Sequence, residues 1–176
     1  MKKKWWLAVW VFTVLALLLN AASIYKSEVK THRNQTTDIE LYRGKELLIV
    51  NIASRCAYTP QLSGLEKLYT TYSARGFAVL GFPTSQFAFQ EPLDGEDLNR
   101  FYKQTYGVTF PIFGKIDVNA NPLYHYLKKG VSGLGKSESI EWNFTKYLIG
   151  RNGVVLRKYS PRVTPEEIAA DVEKFL

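Results

Sequence analysis

The sequence predicts an α/β domain in which a mixed β-sheet is covered by helices on both faces. Three observations carry this. Leu47 to Ala53 is an apolar, β-branched-rich run, and a helical repeat and a second apolar run, Phe77 to Phe82, follow it. That is a βαβ unit, whose two strands run parallel. Phe144 to Ile149 and Val154 to Tyr159 flank Arg151-Asn152-Gly153, and Asn-Gly between apolar runs signals an antiparallel hairpin. Thr164-Pro165 with Glu167 three residues on is a capping box that opens a last helix.

Taken in order, the chain opens with Lys2, Lys3 and Lys4, then Trp5 to Leu19, which is apolar apart from Thr13. With Asn20, Ala21 and Ala22 the run is long enough for a bilayer core of about 30 Å. It predicts one N-terminal hydrophobic helix over residues 1–23, contacting a membrane through residues 5–22. A cleaved signal peptide would use Ala21-Ala22-Ser23 as its cut. An uncleaved signal-anchor is favoured by the length and by Trp5, Trp6 and Tyr25 at the two interfaces. Both readings keep the lysines cytoplasmic and place the domain, residues 24–176, on the non-cytoplasmic side.

Residues 23–45 are polar and end in a turn at Glu40 to Lys45. After strand 47–53, Thr59-Pro60 predicts a helix start, a hydroxyl cap followed by proline at the first helical position. Leu62, Leu65, Leu68, Tyr69 and Tyr72 give the helix its apolar face over 60–75, and Gly76 stops it. Strand 77–82 leads into a loop, Pro83 to Pro92, whose apolar and amide residues predict that it packs over something. A helix over about 95–105 and an extended segment over 108–118, interrupted by Pro111, come next. Pro122 opens a short helix to Lys128, and Val131 to Ser139 is Gly/Ser-rich. After the hairpin, the closing helix buries Ile168, Val172, Phe175 and Leu176. This order is thioredoxin-like.

Composition narrows the chemistry. The chain has 176 residues, 25 of them aromatic, which suits one domain with a sizeable core. Of the net +7 charge, three units sit on Lys2–Lys4, and the rest is scattered, without the basic run a nucleic-acid binder shows. His32 and His125 stand alone, without ligand spacing. There is one cysteine, Cys56, so an intrachain disulfide and a cysteine zinc site are excluded. A lone cysteine is most often a small buried hydrophobe. Cys56, however, lies on a strand-to-helix turn beside Arg55, where unpaired N–H groups and the helix dipole favour a thiolate.

Three blocks resemble the glutathione peroxidase family. They are Val50-Asn51-Ile52-Ala53-Ser54-Arg55-Cys56 with Thr59-Pro60-Gln61, Gly81-Phe82-Pro83-Thr84-Ser85-Gln86-Phe87 with Gln90-Glu91-Pro92, and Trp142-Asn143-Phe144-Thr145-Lys146. Tyr106 to Ile112 and Thr164 to Ile168 match as well, so the likeness runs from about residue 24 to the C-terminus. It implies Cys56 as peroxidatic nucleophile, with Gln86, Trp142 and Asn143 as N–H donors to the thiolate and to developing oxyanion charge. Ala57, Ala88 and Leu93 stand where the family commonly has glycine, and Ser85 where asparagine is common. Tyr102 and Thr84 occupy places where relatives often carry further cysteines.

The resemblance therefore implies a peroxidase that reduces hydrogen peroxide and organic or lipid hydroperoxides. Its Cys56 sulfenic acid is resolved by an external thiol, glutathione or thioredoxin, as co-substrate, with no bound cofactor or metal. The short stretch between Gly130 and Trp142 resembles the compact, monomeric phospholipid-hydroperoxide type. A competing expectation is a peroxide sensor or relay that passes oxidation from Cys56 to a partner protein. A third is a relative that has lost activity through its altered motif positions.

Overall fold

The computed structural model describes residues 24–131 and 139–176. The expected N-terminal helix and most of the Gly/Ser-rich stretch lie outside the described residues. No helix among those described is long and apolar enough to cross a membrane.

The fold is thioredoxin-like. Its central strands are β3 (Glu46–Ile52), β4 (Phe77–Pro83), β5 (Lys146–Ile149) and β6 (Val155–Tyr159), after a small hairpin of β1 (Val29–Lys30) and β2 (Thr36–Thr37). The sheet order is β4-β3-β5-β6. β3 runs parallel to β4, as the βαβ unit requires, and antiparallel to β5; β5 and β6 are also antiparallel. Every residue of β3 and β4 is buried, as expected for strands covered on both faces.

The helices are α1 (Gln61–Tyr72), α2 (Gly95–Tyr106), α3 (Pro122–Val131) and α4 (Pro165–Phe175). Alternation along β3 divides the core in two. Leu48, Val50 and Ile52 face Leu62 and Leu65 of α1, Tyr102 of α2 and Ile168 and Val172 of α4. Leu47 and Ile49 face Leu123, Tyr124 and Leu127 of α3. Helix α4 carries the expected capping box at Thr164 and Glu167.

Several boundaries differ from the sequence reading. Thr59 does not cap α1: its hydroxyl folds back under the Cys56 turn, and Pro60 takes the cap position with a helical φ of −57°. Helix α1 tightens into a 3-10 turn over Ser73–Arg75 before Gly76 ends it at φ 91°. Strand β5 begins at Lys146 because Phe144 sits at φ 66°, outside the β region. The 108–118 segment is extended, as read, and is not a full strand. Pro111 lacks an N–H, and the segment instead covers the edge of β4 through a single bridge between Gly81 and Ile112. The β1–β2 hairpin is an addition to the polar stretch read from sequence.

Candidate active site

Topology gathers the three motifs at one end of the sheet. β3 and β4 are parallel, so the Cys56 turn and the Gln86 loop both leave from their C-terminal ends. β5 is antiparallel to β3, with Lys146 opposite Val50, so the Trp142–Asn143 turn enters beside the same end.

Cys56 is 7% exposed, with Leu62, Leu65 and Phe144 in the apolar cluster it joins. Its turn is held locally: the Cys56 N–H donates to Thr59 Oγ1 at 3.0 Å, and that hydroxyl in turn reaches the carbonyls of Ala53 and Cys56. The Tyr58 N–H points at the Cys56 sulfur, 3.5 Å away. That backbone donor comes from the turn itself.

Asn143 is tied to this turn through an intermediary. The Arg55 N–H donates to the Gln90 carbonyl at 2.9 Å, and Asn143 Nδ2 donates to Gln90 Oε1 at 3.0 Å. Gln90 thus joins the Cys56 turn to buried Asn143, whose own Oδ1 is buried without a partner. The Trp142 carbonyl accepts from Asn51 Nδ2 at 3.0 Å, which fastens its turn to β3. The indole is 36% exposed and packs on the Phe87 ring with centroids 5.4 Å apart.

Gln86 is differently placed. Its amide nitrogen donates to Asp117, and its Oε1 accepts the Val118 N–H at 2.6 Å. The N–H of Asn119 foremost, and also Gln86, hold the Asp117 carboxyl below the usual range. The structure therefore joins Asn143 to the Cys56 turn through Gln90, seats the Trp142 indole on Phe87, and turns the Gln86 amide towards Asp117. Among the described residues none of the three bonds the sulfur directly.

The loop 83–92 packs over the site, as its composition predicted, and it carries backbone strain. Ala88 and Phe89 have φ of 52° and 53°, and the Gln90 N–H returns to the Phe87 carbonyl at 3.2 Å. Positive φ at both central residues marks a type I′ turn, where glycine and asparagine are the favoured residues. Here alanine and phenylalanine adopt that turn. Phe89 stands 86% exposed at its tip. Ser85 donates to the Glu91 carbonyl at 2.9 Å.

Two groups escaped the sequence reading of the site. Gln90 is one. The other is Glu91, which is 1% exposed and receives the N–H and hydroxyl of Ser54, the Leu93 N–H and the Tyr102 hydroxyl. The packing of the loop was legible, but nothing local marks its glutamate for such burial.

Comparison with known proteins shows the family. The glutathione peroxidase family profile matches residues 24–128. The chain is 46% identical over 157 residues to the glutathione peroxidase homolog BsaA of Staphylococcus epidermidis, covering 88% of this chain and 99% of that one. It is 48% identical over 143 residues to the hydroperoxy fatty acid reductase gpx1 of Synechocystis, covering 77% and 85%. The crystal structure of T. cruzi GPX1 superposes with a TM-score of 0.70 at 36% identity, over 87% of this chain and 95% of that one. The chain belongs to the glutathione peroxidase family and is a thiol-dependent peroxidase.

Proposed function

We propose that Cys56 is the peroxidatic nucleophile and that Gln86, Trp142 and Asn143 assist it. The observation that carries this is the convergence of the three motifs around the Cys56 turn. The Cys56 thiolate attacks one peroxide oxygen, the O–O bond breaks, and the leaving alkoxide takes a proton to depart as alcohol or water. Cys56 is left as a sulfenic acid. With no second cysteine in the chain, an external thiol condenses with it, releasing water, and a second thiol frees Cys56 from the mixed disulfide. Gln86 gives one amide hydrogen to Asp117, and its second is the one proposed to meet the sulfur or the peroxide.

Organic hydroperoxides are the proposed substrates beside hydrogen peroxide. Phe89 and Trp142 offer an apolar margin to a carbon chain, and the Synechocystis relative is named for fatty acid hydroperoxides. The compact chain is proposed to act as a monomer, with residues 1–23 as a signal-anchor and the domain on the non-cytoplasmic side.

The fold constrains what such an anchor would do. The Tyr25 hydroxyl donates to the Arg151 carbonyl, and the Arg43 guanidinium lies 4.4 Å from the Tyr25 ring centroid. Arg151 also bonds the Arg75 carbonyl, so Tyr25 belongs to the end where β3 and β4 begin. Cys56 follows the other end, about 20 Å away along β3. A tether leaving from residue 24 would hold the site facing away from its own bilayer, where hydrogen peroxide and released fatty acid hydroperoxides arrive by diffusion.

Rapid mixing of the protein with peroxide tests the assignment, with Cys56→Ser as control and glutathione or thioredoxin added afterwards. A fast Cys56-dependent step that either thiol resets is the expected result. A fast step that neither resets would turn the case to a relay with a dedicated partner. Absence of the step would overturn the role of Cys56.

A further inference from the structure

We propose that Glu91 and Tyr102 are positioning residues for Cys56, forming a buried brace that aims the sulfur at the peroxide. The inference rests on the assignment of Cys56 as nucleophile. Its physical basis is the path of hydrogen bonds. Ser54 and Arg55, the two residues before Cys56, are both tied to the neighbouring pair Gln90 and Glu91. The Arg55 N–H goes to the Gln90 carbonyl, and the Ser54 N–H and hydroxyl go to the two oxygens of Glu91 at 3.0 and 2.7 Å.

The Glu91 carboxyl has an outer support. Tyr102, fully buried in the middle of α2, donates its hydroxyl to Glu91 Oε2, and the Leu93 N–H reaches Oε1 at 3.2 Å. Burial, then the Glu91 carboxyl, keep the Tyr102 proton in place far above the ordinary tyrosine range. Tyr102 is therefore a permanent donor. The brace runs from a rigid helix, through one carboxyl group, to the backbone two residues before the sulfur.

Without the Tyr102 hydroxyl, a buried oxygen of Glu91 loses a donor that water cannot replace at that depth. A thiolate displacing a peroxide oxygen needs its sulfur in line with the O–O bond. A small error in the turn lowers the rate without disturbing the rest of the domain.

Tyr102→Phe and Glu91→Gln in the full-length chain test the brace. Hydrogen peroxide is the probe, and quenched-flow trapping of the Cys56 sulfenic acid with dimedone gives both rate constant and amplitude. A residue that only stabilises the fold changes the amplitude, the fraction of molecules able to react, and not the rate constant. The expected result is full amplitude, with a rate constant reduced at least tenfold in Glu91→Gln and several-fold in Tyr102→Phe. Tyr102→Phe removes a single oxygen and guards against a variant that fails to fold. Wild-type rate constants in both variants, with or without lost amplitude, would overturn the brace and leave the Cys56 assignment standing. Failure of the wild-type protein to form a sulfenic acid would overturn both.

Discussion

Asn143 donates its side-chain amide to Gln90 Oε1 at 3.0 Å, while the carbonyl of the same Gln90 takes the Arg55 N–H. One glutamine thereby sets the distance between the Trp142–Asn143 turn and the Cys56 turn. Gln90→Ala removes the side-chain half of this link and leaves the backbone half. Losing a buried partner costs about 1–3 kcal/mol, so a clear fall in melting temperature is expected. The peroxide step should slow by roughly tenfold, read by the same rapid-mixing assay. A variant that melts early yet reacts at the wild-type rate would show that Asn143 needs no support from Gln90.

Gln86 and Asp117 form the second test. If Gln86 donates to charge developing at the sulfur or the peroxide, Gln86→Ala should slow the peroxide step by about 100-fold, the scale of one lost oxyanion donor. Asp117→Ala releases the Gln86 amide and should spare that step. Equal losses in the two variants would make the pair a structural tie of the loop.

Phe89 joins strain to exposure. A left-handed conformation costs a non-glycine residue about 1–2 kcal/mol, and an exposed ring recovers none of it by packing. Phe89→Gly is expected to raise the melting temperature slightly. It should also raise KM for a long-chain hydroperoxide several-fold while leaving hydrogen peroxide kinetics unchanged. An equal change for both substrates would remove Phe89 from substrate binding.

Glu46 predicts a pH dependence of stability. It is fully buried at the start of β3, with neither carboxyl oxygen hydrogen-bonded, and burial raises its pKa to about 7 against a partial offset from Arg151. The folded state therefore favours the neutral acid. This contribution is whole below the ordinary glutamate value of about 4.3, fades as pH rises towards 7, and is absent above it. The loss amounts to at most about 4 kcal/mol. Denaturant unfolding of Glu46→Gln should show a flatter profile between pH 4.5 and 7.5 than the wild type. Parallel profiles would sink the assignment.

The element order was legible in the sequence because its signals are local. Asn152-Gly153, the Thr164–Glu167 box and the stop at Gly76 each act within a few residues, and each appears in the structure where it was read. Thr59-Pro60 shows the limit of such reading. The pair does stand at the head of α1, yet the hydroxyl is drawn under the Cys56 turn, where burying it requires bonds to Ala53 and Cys56. Gln86 shows another. Its identity was plain, but its direction depends on Asp117, 31 residues further on.

By itself the sequence determined the βαβ and hairpin order, the single thiol, and the motifs that mark the family. The reason is that periodicity, caps and a cysteine count need no knowledge of distant neighbours. Only the tertiary structure decided that Glu91 is buried against Ser54 and Tyr102, that Gln90 joins Asn143 to the Cys56 turn, and that residue 24 lies at the end of the sheet opposite the thiol. Those relationships are set by packing among residues far apart in the chain. There the cost of leaving a buried polar group unpaired selects the partner.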